Sequence, residues 1–451
     1  MQKRKRMSRI MASFTGLFLT MALLAACGAG TGSSTGSTGG GNSSGGTKTI
    51  EIGSEFPTSG SDTTSGKPAE EGVDLAVQQA NASNFLPGYT FVHVKKDDVG
   101  TGGTHDATVG QNNVQALVGD ALVAGFVGPL NSSVALAEMP VANRAPLAMI
   151  SPSNTNDCLT SDTPAFECGG TNSKLSELRP TEKVTYFRTA TPDQYQGKAL
   201  AEFAYTTQKY RSVYVIDDTE TYGVGLATNF ITNWQKLGGT VLGHQSIKTT
   251  GSYENILTEI AGKHPDAIFF GGNDSTGGIT IRQQMKSIAG LQNVPFLVGD
   301  GAKTSALAKD IEPLGGGAVY GSIPGADPSQ NPNFQKFYSD YTKAYGTDQY
   351  GAYSAGGFDD ANILLQAIKI AIQQKNAVAP KDSNDSATAT TFRQAVIDVL
   401  KSSSFSYDGV TGHVSFDQNG DTVSHLVSIY TLGDLTKADG WKYLNQIDAS
   451  K

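Results

Sequence analysis

Hydroxyl-bearing residues follow two short apolar runs of the sequence, at points where strands of an α/β sheet would end. Ser132 comes after the first run, and Ser153 and Thr155 come after the second. Ligands of open α/β sheets bind at the carboxyl ends of strands, where hydroxyls and the free amides of a helix start could hold a carboxylate. The alternatives are local: Asn131 or Ser132 could simply cap a helix, and Ser153 and Thr155 could satisfy a turn.

Three later loops carry an aromatic, an amide and an acidic side chain at equivalent points. Tyr222 follows residues 213–216, Asn273 follows 267–270, and Asp300 follows 295–298. Asp300 could pair with an ammonium group, or it could be an exposed acidic turn. Tyr222 could cover a ligand or belong to ordinary packing. The pattern favours binding of a small polar molecule.

Motifs for catalysis, metal binding and cofactor binding are missing from the sequence. The six histidines are scattered, and there is no H-E-x-x-H, paired C-x-x-C, phosphate-binding loop or G-x-S-x-G. A hydrolase would need a histidine near Ser132, but neither His93 nor His105 lies in an expected cleft loop. The acidic run 417–421 fits a hairpin turn better than a calcium loop. We therefore predict no catalytic residue, no metal site and no cofactor.

The amino terminus has the pattern of a bacterial lipoprotein. Five basic residues precede an apolar stretch that ends at Cys27, and residues 27–47 are rich in Gly and Ser. The pattern predicts a signal peptide over 1–26, acylation of Cys27 and a flexible lipid-anchored linker over 27–47. An uncleaved transmembrane anchor is the alternative, although the core of the stretch is shorter than the roughly 20 residues that span a bilayer. The folded part is thus expected outside the cytoplasm, attached to the cell membrane.

The net charge and the two cysteines that remain after acylation of Cys27 fit a protein exported from the cytoplasm. Removal of residues 1–26 leaves 29 basic against 42 acidic residues, a net charge of −13, which argues against binding to nucleic acid. Cys158 and Cys168 remain after acylation of Cys27. An oxidising compartment favours a disulfide between them, with two free thiols as the alternative.

From residue 49 onward short β-rich runs alternate with helical patterns, and the alternation restarts after the cysteine loop. This order predicts an α/β fold with two parallel sheets, each covered by helices on both faces. The predicted strands are 50–53, 89–94, 121–126, 147–150, 184–188, 213–216, 241–247, 267–270 and 295–298. Helices are predicted over 68–81, 106–117, 333–345, 361–373 and 391–400, from 132, and near 194, 225, 253 and 279. A loop over 379–387 and a final hairpin turning at Asn419-Gly420 complete the prediction.

Several stretches, taken in their order and spacing, resemble type I periplasmic binding proteins, specifically the branched-chain amino-acid (Leu/Ile/Val-binding-like) lipoproteins of ABC transporters. They are Pro57-Thr58-Ser59-Gly60, Gly125-Phe126-Val127-Gly128, Ser151-Pro152-Ser153-Asn154-Thr155, Tyr186-Phe187-Arg188-Thr189, Thr221-Tyr222-Gly223, Gly299-Asp300-Gly301, and 407–412 leading to 416–421. The resemblance implies two doubly wound parallel-sheet lobes joined by a three-crossing hinge. Lobe 1 would hold 48–188 and 324–405, and lobe 2 would hold 189–323 and 406–451.

The resemblance also implies which residues contact the ligand. Its α-carboxylate would meet Ser132, Ser153 and Thr155, and its amine would meet Tyr222, Asn273 and Asp300, with Asp193 or Gln194 near the hinge. Asn273 stands where the leucine binder has a tyrosine, and Ser65 stands where it has an aromatic residue. These departures favour a more polar or larger ligand than a branched aliphatic one, such as another amino acid, a short amide or an aromatic acid.

The implied function is that of the solute-binding component of an ABC importer, which captures an amino acid or related small polar molecule by closure of its lobes. Permease subunits would recognise the closed form, and the protein would act as a monomer. The alternative is a lipid-anchored sensor that reports the same ligand to a membrane kinase or another partner.

Overall fold

The computed structural model describes residues 47–162, 174–433 and 439–451. The predicted signal peptide, Cys27 and Cys168 lie outside these ranges, so lipid anchoring and the disulfide stay predictions; Cys158 is buried. Among the helices that the structure describes, none combines the length and the apolar character needed to cross a bilayer.

The strands, in chain order, are β1 (Lys48–Phe56), β2 (Tyr89–Asp97), β3 (Val123–Val127), β4 (Ala148–Ser151), β5 (Tyr186–Arg188), β6 (Ser212–Asp217), β7 (Thr240–Ser246), β8 (Ala267–Gly271), β9 (Phe296–Val298), β10 (Val319–Ile323), β11 (Tyr407–Asp408), β12 (His413–Val414), β13 (Leu426–Leu432) and β14 (Trp441–Asp448).

The α-helices are α1 (Thr63–Ala82), α2 (Ala107–Gly119), α3 (Ser132–Arg144), α4 (Leu175–Leu178), α5 (Asp193–Glu202), α6 (Thr221–Lys236), α7 (Glu254–Ala261), α8 (Ile279–Met285), α9 (Ser305–Ile311), α10 (Phe334–Tyr345), α11 (Ser354–Lys375) and α12 (Ser386–Leu400).

The first sheet is parallel throughout, with the strand order β2-β1-β3-β4-β5. Side chains alternate between its two faces, as the pleat of a strand requires. Ile50, Ile52 and Ile150 pack against α1, α11 and α12, whereas Phe126 and Met149 pack against α2 and α3. Both faces are therefore covered by helices, and the prediction of a doubly wound lobe is confirmed.

The second sheet has seven strands in the order β14-β13-β10-β9-β8-β6-β7. Its strands β6 to β10 are parallel, and β13 and β14 extend it as an antiparallel edge. Phe270 and Phe296 face the cluster of α7, α8 and α9, while Phe269 and Leu297 face that of α5 and α6. The lobe is doubly wound as predicted, but β10, β13, β14 and α9 were not predicted.

Three chain segments that run between the sheets lie side by side. The amide of Thr191 donates to the carbonyl of Pro324 at 3.0 Å, and its hydroxyl donates to the carbonyl of Leu426 at 2.9 Å. The hairpin β11–β12 that precedes the third segment packs Val414 against the core of the first sheet. This packing favours a third crossing near Ser424 rather than at 405–406, and the predicted lobe boundaries stay predictions.

A buried arginine at the end of β5 ties these segments to the loops that follow β4. Arg188 is fully buried and donates from Nε to Asp421 at 2.6 Å, from Nη1 to the carbonyl of Asn156 at 2.7 Å and from Nη2 to Thr160 at 2.7 Å. Burial alone would lower the pKa of Arg188, but the charge and hydrogen bond of Asp421, together with Tyr186 and Asp157, outweigh burial and hold the pKa above its usual value. Arg188 thus stays charged and positions the segment 154–160.

Replacing Arg188 with methionine should destabilise the fold strongly. The substitution leaves the carboxylate of Asp421 without its charged partner and removes the donors of buried oxygens, a loss of about 3 kcal/mol in the free energy of unfolding. Urea unfolding of the variant and the wild type measures this difference in the free energy of unfolding. The matched control is Arg144→Met, because Arg144 is exposed and makes one bond, at 3.3 Å, to its own helix. Equal stability of the two variants would contradict the role of Arg188.

Candidate ligand-binding site

Loops that follow strands of both sheets meet around one small cavity. Six predicted residues line it, Ser65, Ser132, Ser153, Tyr222, Asn273 and Asp300, together with Leu130, Asn131, Gly301 and Tyr353. Its volume is about 20 Å³, which is room for one water molecule. The residues that sequence reasoning selected from separate loops are thus neighbours in space, although the space between them is too small for an amino acid.

On the first-lobe side, the start of α3 faces the cavity. Asn131 occupies the N-cap position, but its side chain makes no capping hydrogen bond. Among the described residues, neither Asn131 Oδ1 nor Ser132 Oγ has a hydrogen-bond partner, although both atoms are buried. The local alternative of a side-chain cap is therefore not what the structure has. Ser153 instead donates to the carbonyl of Leu130 at 2.9 Å and holds this loop in place.

On the second-lobe side, Asp300 is 2 % exposed, so the alternative of an exposed acidic turn is wrong. Its Oδ1 accepts from Gln196 Nε2 and from the hydroxyl of Tyr222, each at 2.8 Å, and its Oδ2 accepts from the hydroxyl of Tyr353 at 2.8 Å. These donors are neutral, and burial raises the pKa of Asp300 above its usual value. A cation at this carboxylate would offset the cost of burying its charge.

Tyr222 and Asn273 complete the second-lobe wall. The hydroxyl of Tyr222 donates to Asp300 and accepts from the amide of Gly301 at 3.2 Å, and its ring also belongs to the core of the lobe. The amide N–H of Asn273 donates to Thr276 at 2.9 Å. Its side-chain Nδ2 is buried without a partner among the described residues, so it is a donor available at the cavity.

Two predicted contact residues lie behind the cavity and not on its surface. The amide of Asp193 donates to the carbonyl of Thr155 at 2.7 Å, and both side chains are fully buried. Burial and the nearby charge of Asp157 raise the pKa of Asp193 well above its usual value. The loop that starts α5 thus places this pair in a layer behind the cavity, and their contact with a ligand stays a prediction.

Sequence reasoning missed Tyr353, which precedes α11 and belongs to the first lobe. It stands in a stretch with several tyrosines, and nothing local distinguishes it from a packing residue. Its hydrogen bond to Asp300 crosses from one lobe to the other. Asn156 also crosses, since its Nδ2 donates to the carbonyl of Thr221 at 2.6 Å, and so does the hydroxyl of Ser275, which donates to Asp62. The lobes are therefore closed on each other.

His105 also lies at this boundary, so the expectation that it stands away from the cleft is wrong. Its Nδ1 is 2.7 Å from Asp62 of the same lobe, and its Nε2 is 3.7 Å from Glu220 of the other. Burial alone would lower the pKa of His105, but the two carboxylates outweigh burial and raise it to about 10. A histidine that is protonated at neutral pH is not a general base.

Comparison with known proteins agrees with this architecture. A family model described as periplasmic binding protein matches residues 49–438. A Leu/Ile/Val-binding protein homologue of Brucella abortus is 25% identical over 405 residues, covering 88% of this chain and 94% of the relative. The leucine-binding protein of Thermotoga maritima has a TM-score of 0.69 at 22% identity, over 88% of this chain and 99% of the other.

A second solved structure has the same fold with a different ligand. It is a solute-binding protein of Rhodopseudomonas palustris in complex with p-hydroxybenzoic acid, with a TM-score of 0.69 at 18% identity, over 89% of this chain and 97% of the other. At this identity the likeness concerns the fold alone.

The chain belongs to the periplasmic binding protein family, and its two-lobed fold is that of a type I member. It is a substrate-binding protein and not an enzyme.

The contact of His105 with Asp62 and Glu220 should make stability fall at alkaline pH. The pKa of His105 is raised by folding, so its contribution is complete below the unfolded value near 6.5 and is lost as pH rises through about 10. We expect the wild type to lose on the order of 2 kcal/mol more than His105→Gln between these limits. Thermal or urea unfolding at several pH values measures the difference. Exposed His264→Gln is the control, and parallel curves for wild type and His105→Gln would contradict the prediction.

Proposed function

We propose that this chain is the solute-binding component of an ABC importer and that it captures a small zwitterion, an amino acid or a related polar molecule, by closure of its two lobes. The observation that carries the proposal is the buried carboxylate of Asp300. Within the described part of the chain its donors are all neutral, and the hydroxyl of Ser132 in the same cavity has no partner. An ammonium group at Asp300 and a carboxylate at Ser132 would satisfy both sides.

Electrostatics supports this orientation of the ligand. The start of α3 offers backbone amides and the positive end of a helix dipole, which favour an anionic group beside Ser132. Asp300, in the opposite lobe, favours a cation. A zwitterion would therefore bridge the lobes, and its two charges would be held by different lobes. This arrangement makes ligand binding and lobe closure mutually favourable.

The small size of the cavity supports a hinge mechanism. Because about 20 Å³ holds a water molecule and not an amino acid, the ligand must enter when the lobes are apart and must keep them slightly farther apart than here. The hydrogen bond between Tyr353 and Asp300 is one contact that a bound ammonium would compete with. The polar side chains of Ser65 and Asn273 support a ligand with a polar or planar side chain.

The proposed role also includes attachment to the membrane and contact with membrane proteins. We propose that acylated Cys27 anchors the protein, that residues 27–47 act as its tether, and that the closed form of the monomer is recognised by permease subunits. Membership of the periplasmic binding protein family supports a location outside the cytoplasm.

A thermal-unfolding panel of amino acids, short amides and aromatic acids tests the proposed ligand class. A ligand at 100 times its dissociation constant should stabilise the folded chain by about 2.7 kcal/mol. Asp300→Asn should lose at least tenfold in affinity for amino acids but should keep binding of aromatic acids, which lack an ammonium group. Asp274→Asn is the matched control, because Asp274 is also buried but does not line the cavity. Unchanged amino-acid affinity in Asp300→Asn would contradict the proposal.

Lipid anchoring is tested by Cys27→Ser. The substitution removes the thiol that would be acylated, so we expect the protein to move from the membrane fraction to the soluble extracytoplasmic fraction or to remain unprocessed. Fractionation with immunodetection measures this, and Cys158→Ser serves as the control. Membrane retention of Cys27→Ser at the size of the processed wild type would contradict anchoring through Cys27, because a chain that is retained by its uncleaved signal peptide would be larger.

A further inference from the structure

A second and larger cavity, with a volume of about 510 Å³, lies beside the ligand-binding cavity and shares no lining residue with it. The segments that carry Lys303 and Ala352 line the larger cavity, while their neighbours Gly301 and Tyr353 line the smaller one. These two segments form the wall between the cavities. The volume is within the range of small-molecule sites, about 300–1,000 Å³.

Aromatic side chains from both lobes dominate the walls of this cavity. Phe334 and Tyr338 of α10 and Tyr350 come from the first lobe, and Tyr430 and Trp441 come from the second. The ring centroids of Tyr338 and Tyr350 are 5.1 Å apart in an edge-to-face arrangement. Packing of this kind holds the rings in fixed orientations.

One cation already rests on these aromatic faces. The ammonium of Lys303 lies 4.1 Å from the centroid of Tyr430 and 6.0 Å from that of Trp441. Both distances are in the range of a cation–π contact. The same ammonium is 2.6 Å from the carboxylate of Asp439, so its charge is compensated.

Among the described residues, the lining has one negative charge more than it has positive charges. Asp327 lines the cavity and is 6 % exposed, and among the described residues no basic side chain lies within ion-pair distance of its carboxylate. Its oxygens accept hydrogen bonds from the amide and hydroxyl of Ser329, at 3.0 and 2.7 Å. Burial is the main cause that raises the pKa of Tyr430, and the charge of Asp327 adds to it.

We propose that this cavity is a second small-molecule site and that it binds a small organic cation, a methylated or alkylated ammonium compound. The faces of Tyr350 and Tyr338 would receive the ammonium, and Asp327 would supply the counter-charge. A quaternary ammonium suits the site better than a primary amine, because it needs no hydrogen-bond acceptors and gains most from aromatic faces. The inference does not depend on which ligand the smaller cavity binds.

Isothermal titration of the purified full chain with choline tests the proposal, with tetraethylammonium as a second probe. The matched ligand control is the uncharged carbon analogue of choline, in which a tert-butyl group replaces the trimethylammonium group. We expect the cation to bind at least tenfold more tightly than this analogue. Binding of neither cation, or equal binding of choline and the analogue, would overturn the proposal.

Two pairs of variants locate the site. Asp327→Asn should reduce the affinity for choline at least tenfold, whereas Asp300→Asn should leave it unchanged. Tyr350→Leu should weaken binding to a similar extent, whereas Tyr350→Phe, which keeps the ring, should not. Thermal unfolding of each variant verifies that it folds. If Tyr350→Leu does not fold, the choline affinity of Asp327→Asn relative to wild type tests the site. Loss of choline binding in Asp300→Asn together with full binding in Asp327→Asn would place the cation in the smaller cavity and refute the proposal.

Discussion

The carboxylate of Asp300 is buried where the loops of the two sheets meet, and the donors that reach it come from three separate parts of the chain. Gln196 and Tyr222 belong to the second lobe, and Tyr353 belongs to the first. A buried carboxylate is costly unless hydrogen bonds or an opposite charge compensate it. Because one donor comes from the other lobe, separation of the lobes removes that donor and admits water. Closure of the cleft and burial of this charge are therefore parts of one equilibrium.

A second buried charge, on Arg188, is compensated in a different way. Its guanidinium has an ionic partner in Asp421 and neutral acceptors in the segment 154–160, all from the protein itself. A charge that is fully paired in this way stabilises one arrangement of the crossing segments. The contrast with Asp300 separates two situations. Arg188 is paired with protein groups and holds the frame of the cleft, whereas the donors to Asp300 are neutral, which is why we propose that it pairs with a charge on the ligand.

The sequence predicted the parts of the fold that have a clear local period. Strands β1 to β9 and most helices were predicted. Strands that are buried on both faces have continuous apolar runs, and helices that are buried along one side have apolar residues at helical spacing. Strand β10 ends at residue 323, where the sequence analysis placed a lobe boundary, and strands β13 and β14 were not distinguished from loops. Strand β14 contacts one neighbour and is partly exposed, so its sequence pattern is weaker, whereas β13 lies between β10 and β14 and its buried residues show no alternation.

The sequence by itself determined the alternation of strands and helices and the loops that follow the strands, since these depend on residues close together in the chain. It therefore selected Ser132, Asn273 and Asp300 from separate loops that the structure brings together around one cavity. Only the tertiary structure decided that Thr155 and Asp193 lie behind the cavity and that Tyr353 reaches Asp300 from the opposite lobe. The physical reason is that these positions depend on contacts between residues far apart in sequence, on the burial of each side chain and on the closure of the lobes, none of which leaves a local pattern.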